Sequence, residues 1–313
     1  MEQPETERSD TAPKENILLA ALRALRPKQW TKNAFLLAAL LFSFEFTNPE
    51  AILKTAWGIA CFCLISSTGY IFNDLRDRDA DALHPKKHKR PIASGALPVN
   101  AAWVEMAVIF TIGTAGAFLL SPGFGAVAML YFVTTMSYTL HFKHQVILDI
   151  MFLAAGFIWR AIAGAVAIGV IISPWLLLCT GFLALFLGFN KRRGEIVLLG
   201  VEKAATTRKN LSEYSTSMLD EFQAITTSGT IISYALYTVQ GSPTPWLLIT
   251  LPFVLYVIFR YIYLVQGRGE GDAPDETLLK DKPILLTALL YGLTTVGVLV
   301  ALEMGYIQGQ LPV

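Results

Sequence analysis

The chain is organised as a series of apolar runs separated by short polar segments. A helix needs about 17 to 25 residues to cross the hydrocarbon core of a bilayer, and most of these runs fall in that range. Proline and glycine mark turns between them, as at 121–123 and 241–245. We therefore predict an all-α membrane protein with nine spans, at 31–46, 51–72, 101–120, 123–141, 146–168, 173–190, 222–240, 245–265 and 283–303.

Composition supports this interpretation. The 313 residues are 54% hydrophobic and 16% charged, whereas a soluble domain carries about a quarter charged residues. The net charge of +1 gives no support for a nucleic-acid ligand. Residues 1–15 are polar and contain proline, which predicts a disordered tail without a cleaved signal peptide. Residues 16–313 are predicted to form one catalytic domain, and its three cysteines are interpreted as small buried side chains.

Lysine and arginine cluster before the first run and in the loops after the second, sixth and eighth runs. Basic residues accumulate on the cytoplasmic side of membrane proteins. This distribution predicts a cytoplasmic N-terminus, and all the long loops lie on the same side. We expect the chemistry at that face; whether the loop at 266–282 caps a site or is simply solvated stays open.

The second run continues into an acidic motif. Asp74, Asp77 and Asp81 are spaced to fall within about 60° of one helical face. Carboxylates so placed repel each other unless a cation lies between them, and ligand sets of oxygen alone favour Mg²⁺ or Mn²⁺. The alternative is a solvated acidic loop balanced by its own arginines. Asn73 neighbours this stripe, and Arg90 is the candidate for a bidentate phosphate contact.

The run at 146–168 contains two charged residues, Asp149 and Arg160. A spacing of eleven residues places them on one face but about 16 Å apart along the axis, so they cannot pair directly. Charges within a span are functional candidates, although pairing with another helix is the alternative. We expect Asp149 to hold either a ribose hydroxyl or a basic side chain. Tyr138 and Tyr214 are weaker hydrogen-bonding candidates.

A basic motif follows the sixth run. Lys191, Arg192 and Arg193 are consecutive, and Glu195 lies one turn from Lys191. Such a cationic segment would repel a metal and attract phosphate, although anchoring at the cytoplasmic interface also explains its charge. Together with the acidic motif it favours an enzyme with two anionic substrates, one delivered with a metal and one gripped by cations.

The acidic motif, Asn-Asp-x-x-Asp-x-x-x-Asp, resembles the first signature of the UbiA superfamily of intramembrane prenyltransferases. The likeness extends through segments 26–33, 89–95, 143–151 and 160–164, which together are similar to one branch, the decaprenyl-phosphate phosphoribosyltransferases. The resemblance implies a UbiA-like bundle of nine helices around a central cavity. Aromatic prenyltransferases of the superfamily carry a second Asp-rich signature where this chain has the basic motif.

The resemblance also implies substrates and further site residues. It implies Mg²⁺-dependent transfer of phosphoribose from phosphoribosyl pyrophosphate to a polyprenyl phosphate in the plasma membrane, for cell-wall arabinan synthesis. It adds Lys32 and Lys143 to the residues expected to contact substrate. Two alternatives are aromatic prenyl transfer from a polyprenyl diphosphate, which predicts a second acidic cluster, and anion transport, which often shows inverted repeats. Self-association is left open.

Overall fold

The computed structural model describes residues 16–84, 87–199, 209–268 and 274–309 of the chain, so the predicted tail at 1–15 lies outside the described residues. In the described ranges the regular elements are helices, as predicted. The α-helices are α1 Ile17–Ala24, α2 Leu37–Phe42, α3 Pro49–Arg76, α4 Arg78–Ala82, α5 Val99–Leu120, α6 Pro122–Leu140, α7 Leu148–Ile168, α8 Pro174–Leu199, α9 Thr216–Leu236, α10 Leu251–Arg268, α11 Pro274–Lys280 and α12 Lys282–Glu303.

Shorter helical segments connect several of these elements. The 3₁₀ helices are Pro27–Leu36, Glu45–Thr47, Lys87–Lys89, Phe142–His144, Lys209–Glu213 and Pro245–Thr250, and Tyr237–Gly241 is a π-helical turn. Local sequence explains the boundary between α5 and α6. The hydroxyl of Ser121 accepts a hydrogen bond from the Phe124 amide at 3.0 Å, and Pro122 stands in the first turn.

Seven helices within the described residues are long and apolar enough to cross a bilayer: α3, α5, α6, α7, α8, the segment Pro245–Gly267 and α12. Two predicted spans are not among them. The run at 31–46 folds as the 3₁₀ helix Pro27–Leu36 followed by the six-residue α2. The run at 222–240 lies in α9 and the π turn, where buried threonines reduce the hydropathy. The protein is a multi-pass helical membrane protein, and the count of nine stays a prediction.

The described residues form two compact units. One comprises the chain up to Thr31 together with Cys63–Gly113, and the other comprises Lys32–Phe62 and the chain from Thr114 onward. The first contains a small apolar core, formed by Ala20, Ala24, Ile71, Ile92, Leu97 and Ala102. In the second, one core cluster joins Ile150, Phe189, Leu211, Tyr214 and Leu219, and another surrounds Tyr261.

Within the second unit, α2 packs closely on α7. A Cβ atom added to Gly164 of α7 would overlap the carbonyl oxygen of Leu36, at the start of α2. Only a residue without a side chain permits this approach. The contact fixes the segment around Asn33 against α7, and this position matters for the buried arginine described below.

Candidate functional site

The acidic motif lies in the first unit, where α3 ends and α4 begins. α3 stops at Arg76 and Asp77 interrupts the helix, but the amide of Asp77 donates to the carbonyl of Asn73 at 2.9 Å. The amide of Asp81 donates in turn to the carbonyl of Asp77 at 2.8 Å. The turn therefore continues, and the carboxylates of Asp74 and Asp81 are both buried, with side-chain exposures of 3% and 5%.

These two carboxylates converge on one arginine. Nη1 of Arg90 lies 2.9 Å from Oδ1 of Asp74 and 2.5 Å from Oδ2 of Asp81. Nη2 of Arg26 lies 2.5 Å from Oδ1 of Asp74, and Nζ of Lys87 lies 3.9 Å from Oδ1 of Asp81. We call these five side chains the acid–arginine cluster. Burial of the two carboxylates argues against a solvated loop, although arginines do balance the acidic charge.

The predicted set of three metal ligands is not assembled in this arrangement. No group of three His, Cys, Asp or Glu side chains in the described ranges is placed to hold a metal. The reason is that guanidinium groups occupy the space between the buried carboxylates, while Asp77 is half-buried at the junction of α3 and α4. The donor chemistry nevertheless fits Mg²⁺, because two carboxylates converge on a single cationic atom and Mg²⁺ completes its shell with substrate phosphate and water.

Arg26 is a member of the cluster that sequence reasoning missed. Its backbone has a φ of 53°, which is uncommon for a residue other than glycine, and its guanidinium carbon lies 5.4 Å from the ring centre of Tyr70. The segment 26–33 was noticed for its resemblance, but arginine before proline at a membrane entry is also typical of an interface anchor. The contact of Arg26 with Asp74 joins residues 48 positions apart, and no local sequence pattern indicates it.

The second unit contains another buried charged group, centred on Asp149, which has no exposed surface. Nε of Arg192 donates to Oδ2 of Asp149 at 2.9 Å, and Nη1 of Arg192 lies 2.8 Å from Oε2 of Glu195. The hydroxyl of Tyr214 donates to Oδ1 of Asp149 at 2.8 Å and accepts from the amide of Ile147 at 2.6 Å. Burial raises the pKa of Tyr214, so its hydroxyl keeps the proton it donates.

This group revises the interpretation of the basic motif. Arg192 is 3% exposed and is committed to two carboxylates, so it is a buried partner of Asp149 rather than an open phosphate ligand. Arg193 pairs with Asp220 at 2.6 Å. Asp149 was expected to hold either a ribose hydroxyl or a basic side chain, and in the structure it contacts the basic side chain of Arg192. Tyr214, a weak candidate from sequence, is a central member of the group.

The remaining predicted residues of the second unit are buried or half-buried. Lys143 is buried in the 3₁₀ helix Phe142–His144, and Lys191 is half-buried on α8. Tyr138 is half-buried near the end of α6, where it interacts electrostatically with Arg192. Lys32 is half-buried in the 3₁₀ helix Pro27–Leu36.

Arg160 is buried among neutral partners. Its Nε donates to the side-chain oxygen of Asn33 at 2.8 Å, its Nη2 to the hydroxyl of Tyr131 at 2.8 Å, and its Nη1 to the carbonyl of Gly156 at 3.0 Å. Asp149 and Arg160 thus have different partners, as their spacing along α7 predicted.

Two polar side chains that sequence reasoning did not select also lie within helices. Oδ1 of Asn190, on α8, is buried with no hydrogen-bond partner, and so is Oε2 of Glu105, on α5. Buried polar atoms are usually paired, so an unpaired one indicates a ligand or a local cost in stability. Asn190 lies directly before the basic motif, and Glu105 is a single acidic residue within an apolar run.

An apolar cavity of about 300 Å³ lies within the second unit. Its walls come from α2, α8, α9, α10 and α12, and they are almost entirely hydrocarbon apart from a few hydroxyl and thiol groups. Residues that line it include Phe35, Phe42, Leu183, Val254, Val257 and Tyr291. Tyr234, also in the wall, donates to Tyr291 at 3.2 Å. The cavity fits a hydrocarbon chain rather than a charged group.

Comparison with known proteins places this arrangement in a family. Residues 34–279 match the model of the UbiA prenyltransferase family. The chain is 35% identical to the decaprenyl-phosphate phosphoribosyltransferase of Corynebacterium glutamicum, over 89% of this chain and 86% of that protein. It is 32% identical to the protein of the same name from Mycobacterium tuberculosis, over 93% and 97% of the two chains.

Solved structures agree on the fold. A UbiA homologue from Archaeoglobus fulgidus, bound to GPP and Mg²⁺, superposes with a TM-score of 0.70 at 19% identity, over 89% of this chain and 99% of that one. A digeranylgeranylglyceryl phosphate synthase gives 0.65 at 16% identity, over 90% and 99%. The resemblance seen in the sequence motifs is therefore confirmed. The chain belongs to the UbiA prenyltransferase family.

Proposed function

We propose that this protein transfers 5-phosphoribose from phosphoribosyl pyrophosphate to a polyprenyl phosphate and releases pyrophosphate, with Mg²⁺ as cofactor. The observation that carries this proposal is the identity of 35% and 32% to two proteins named decaprenyl-phosphate phosphoribosyltransferase, over 89% and 93% of this chain. The two charged groups of the structure, each built around buried aspartate and arginine, support the choice of anionic substrates.

We assign the acid–arginine cluster to the donor. Asp74 and Asp81, with Asp77 at the adjoining turn, would hold Mg²⁺, which supplies charge neutralisation for a leaving pyrophosphate. Arg26 and Arg90 already lie at these carboxylates and offer N–H donors with the geometry that phosphate oxygens prefer. Asn73, one residue before Asp74, is assigned to the same donor site.

The reaction exchanges one bond at C1 of the ribose for another. A phosphate oxygen of the acceptor forms a bond to C1, the bond from C1 to the pyrophosphate oxygen breaks, and its electron pair leaves with the pyrophosphate. The acceptor oxygen is ionised at neutral pH, so no proton has to be removed. Catalysis then depends mainly on orientation of two anions and on stabilisation of the charge that develops.

The second unit is assigned to the acceptor. Lys32, Lys143 and Lys191 are the candidates for its phosphate, with Tyr138 and Arg160 as further polar contacts. Arg192 holds Asp149 through a short buried contact, and Glu195 orients Arg192 through its second guanidinium nitrogen. The apolar cavity is proposed to take part of the polyprenyl chain, since its walls offer hydrocarbon contacts.

We extend the proposal to location and pathway. The basic loops support a cytoplasmic N-terminus and a site at the cytoplasmic face of the plasma membrane. The segments at 31–46 and 222–240 complete nine spans in this proposal. The product would serve as a precursor of cell-wall arabinan.

A donor assay tests the proposal. Purified protein is incubated with radiolabelled phosphoribosyl pyrophosphate, Mg²⁺ and polyprenyl phosphate, and the lipid phase is then extracted. We expect labelled lipid that EDTA prevents from forming. Asp74→Asn should reduce the rate at least about 10³-fold, because it removes one buried metal-facing charge. Asp79→Asn is the matched control, since the side chain of Asp79 is 89% exposed and pairs with the neighbouring Arg78.

Other outcomes would select another function. Absence of labelled lipid at every acceptor chain length would reject phosphoribosyl transfer. Formation of a prenylated aromatic product from a polyprenyl diphosphate and 4-hydroxybenzoate would favour the aromatic prenyltransferase alternative. Uptake of labelled phosphate by liposomes containing the protein, without any lipid product, would favour transport.

A further inference from the structure

The acid–arginine cluster contains its own cation at the point where a metal would bind. Nη1 of Arg90 lies 2.9 Å from Oδ1 of Asp74 and 2.5 Å from Oδ2 of Asp81, so one guanidinium nitrogen occupies the meeting point of two buried carboxylates. Mg²⁺ needs oxygen ligands at about 2.0–2.1 Å, which leaves no room for a guanidinium between them. Arg90 and a metal are therefore alternative occupants of this position.

The charge of the cluster disfavours a bare metal ion. Arg26, Lys87 and Arg90 supply three positive charges, and Asp74, Asp81 and the adjoining Asp77 supply three negative charges. A divalent cation entering alone therefore meets no net negative charge to attract it. A cation bound to a diphosphate would bring net negative charge, which the arginines attract.

The geometry lets Arg90 leave without movement of its backbone. Its side chain is 24% exposed, whereas the side chains of Asp74 and Asp81 are 3% and 5% exposed. Its amide donates to the carbonyl of Lys87 at 2.9 Å, and its carbonyl accepts from the amide of Ser94 at 2.8 Å. Ile92, two residues on, belongs to the apolar core of the first unit. The backbone at Arg90 therefore has its own contacts, and freeing the carboxylates requires a change in the Arg90 side chain and not in these contacts.

We propose that Arg90 acts as a resident counter-ion, which occupies the metal position in the substrate-free protein and moves to the diphosphate when a metal–diphosphate complex binds. The metal then enters together with the donor rather than before it. This inference rests on the proposed function for the assignment of the acid–arginine cluster to a diphosphate, but its test does not require turnover.

Mn²⁺ binding provides the test. Full-length protein in detergent micelles is titrated with Mn²⁺, with and without inorganic pyrophosphate. Free Mn²⁺ is measured by electron paramagnetic resonance, and protein-free solutions of the same Mn²⁺ and pyrophosphate concentrations correct for chelation in solution. For the wild type we expect weak binding of Mn²⁺ alone and binding at least about tenfold tighter with pyrophosphate. Arg90→Gln should bind Mn²⁺ alone at least about tenfold more tightly than the wild type, because a unit charge beside the ion has been removed.

Two further variants separate charge from structure. Arg90→Lys keeps a positive charge and should behave like the wild type toward Mn²⁺ alone. Arg78→Gln should also match the wild type, since Arg78 is exposed and pairs with Asp79 outside the cluster. Equal Mn²⁺ affinity of the wild type with and without pyrophosphate would overturn the inference, as would unchanged affinity in a folded Arg90→Gln variant. Failure of the lipid-labelling assay alone would reject the proposed function and leave this result standing.

Discussion

The clearest stability prediction concerns the hydroxyl of Tyr214, which Tyr214→Phe removes. That oxygen donates to the buried carboxylate of Asp149 at 2.8 Å and accepts from the amide of Ile147 at 2.6 Å. Ile147 has a φ of 69°, an uncommon conformation for a β-branched residue, and this hydrogen bond helps to hold it. A hydrogen bond to a charged group contributes about 1.5–3 kcal/mol, and the part-buried amide of Ile147 loses its acceptor as well.

We therefore expect Tyr214→Phe to destabilise the protein by about 3 kcal/mol. In a thermal melt in detergent micelles this corresponds to a decrease in Tm of about 5 °C. Tyr306→Phe is the matched control, because Tyr306 is 79% exposed and loses the same atom, and its Tm should change by less than about 1 °C. Equal Tm values for Tyr214→Phe and the control would refute the assignment of Tyr214 as the residue that positions Asp149.

Three further predictions concern stability. Gly164→Ala should lower Tm by several degrees, because the added Cβ would overlap the carbonyl oxygen of Leu36. Gly297→Ala is the control, because its Cβ would meet open space in α12, and it should raise Tm slightly. The opposite order of the two Tm values would contradict the α2–α7 contact. Glu105→Leu should stabilise the protein by about 1 kcal/mol in the same melt, since it removes a buried oxygen without a partner, and a decrease would show that the carboxylate has a favourable role. Burial raises the pKa of the Tyr214 hydroxyl in the folded protein. The contribution of this hydroxyl to stability is therefore complete below the pKa of tyrosine in the unfolded chain, about 10, and declines at higher pH. The Tm difference between wild type and Tyr214→Phe should accordingly be smaller at pH 10.5 than at pH 8, and an equal difference would refute this linkage.

The sequence predicted the fold class correctly because lipid imposes a simple requirement. Every span must be apolar over a length fixed by the bilayer, and its backbone must be paired internally, so long apolar runs indicate helices. The seven long helices in the described part of the chain all correspond to predicted runs. The first predicted span, at 31–46, begins as a 3₁₀ helix rather than an α-helix. Leu36 ends this segment in close contact with Gly164, and hydropathy does not reveal such a tertiary contact.

Most members of the acid–arginine cluster could also be predicted from the sequence. Asp74 and Asp81 are brought to the same side by their helical spacing, and Arg90 follows nine residues after Asp81 in the next loop. Their state of pairing was not predictable, because Arg26 comes from a segment 48 residues earlier. The two carboxylates were expected around a metal, and the structure shows them around guanidinium groups.

The sequence by itself therefore determined where charge occurs along the chain and which segments enter the membrane, because hydropathy and helical spacing are local properties. Tertiary structure alone decided which opposite charges meet. Arg192 pairs with Asp149 across 43 residues, and Tyr214 reaches Asp149 across 65. A buried charge has to find its partner through the packing of whole helices, and no local pattern encodes that choice.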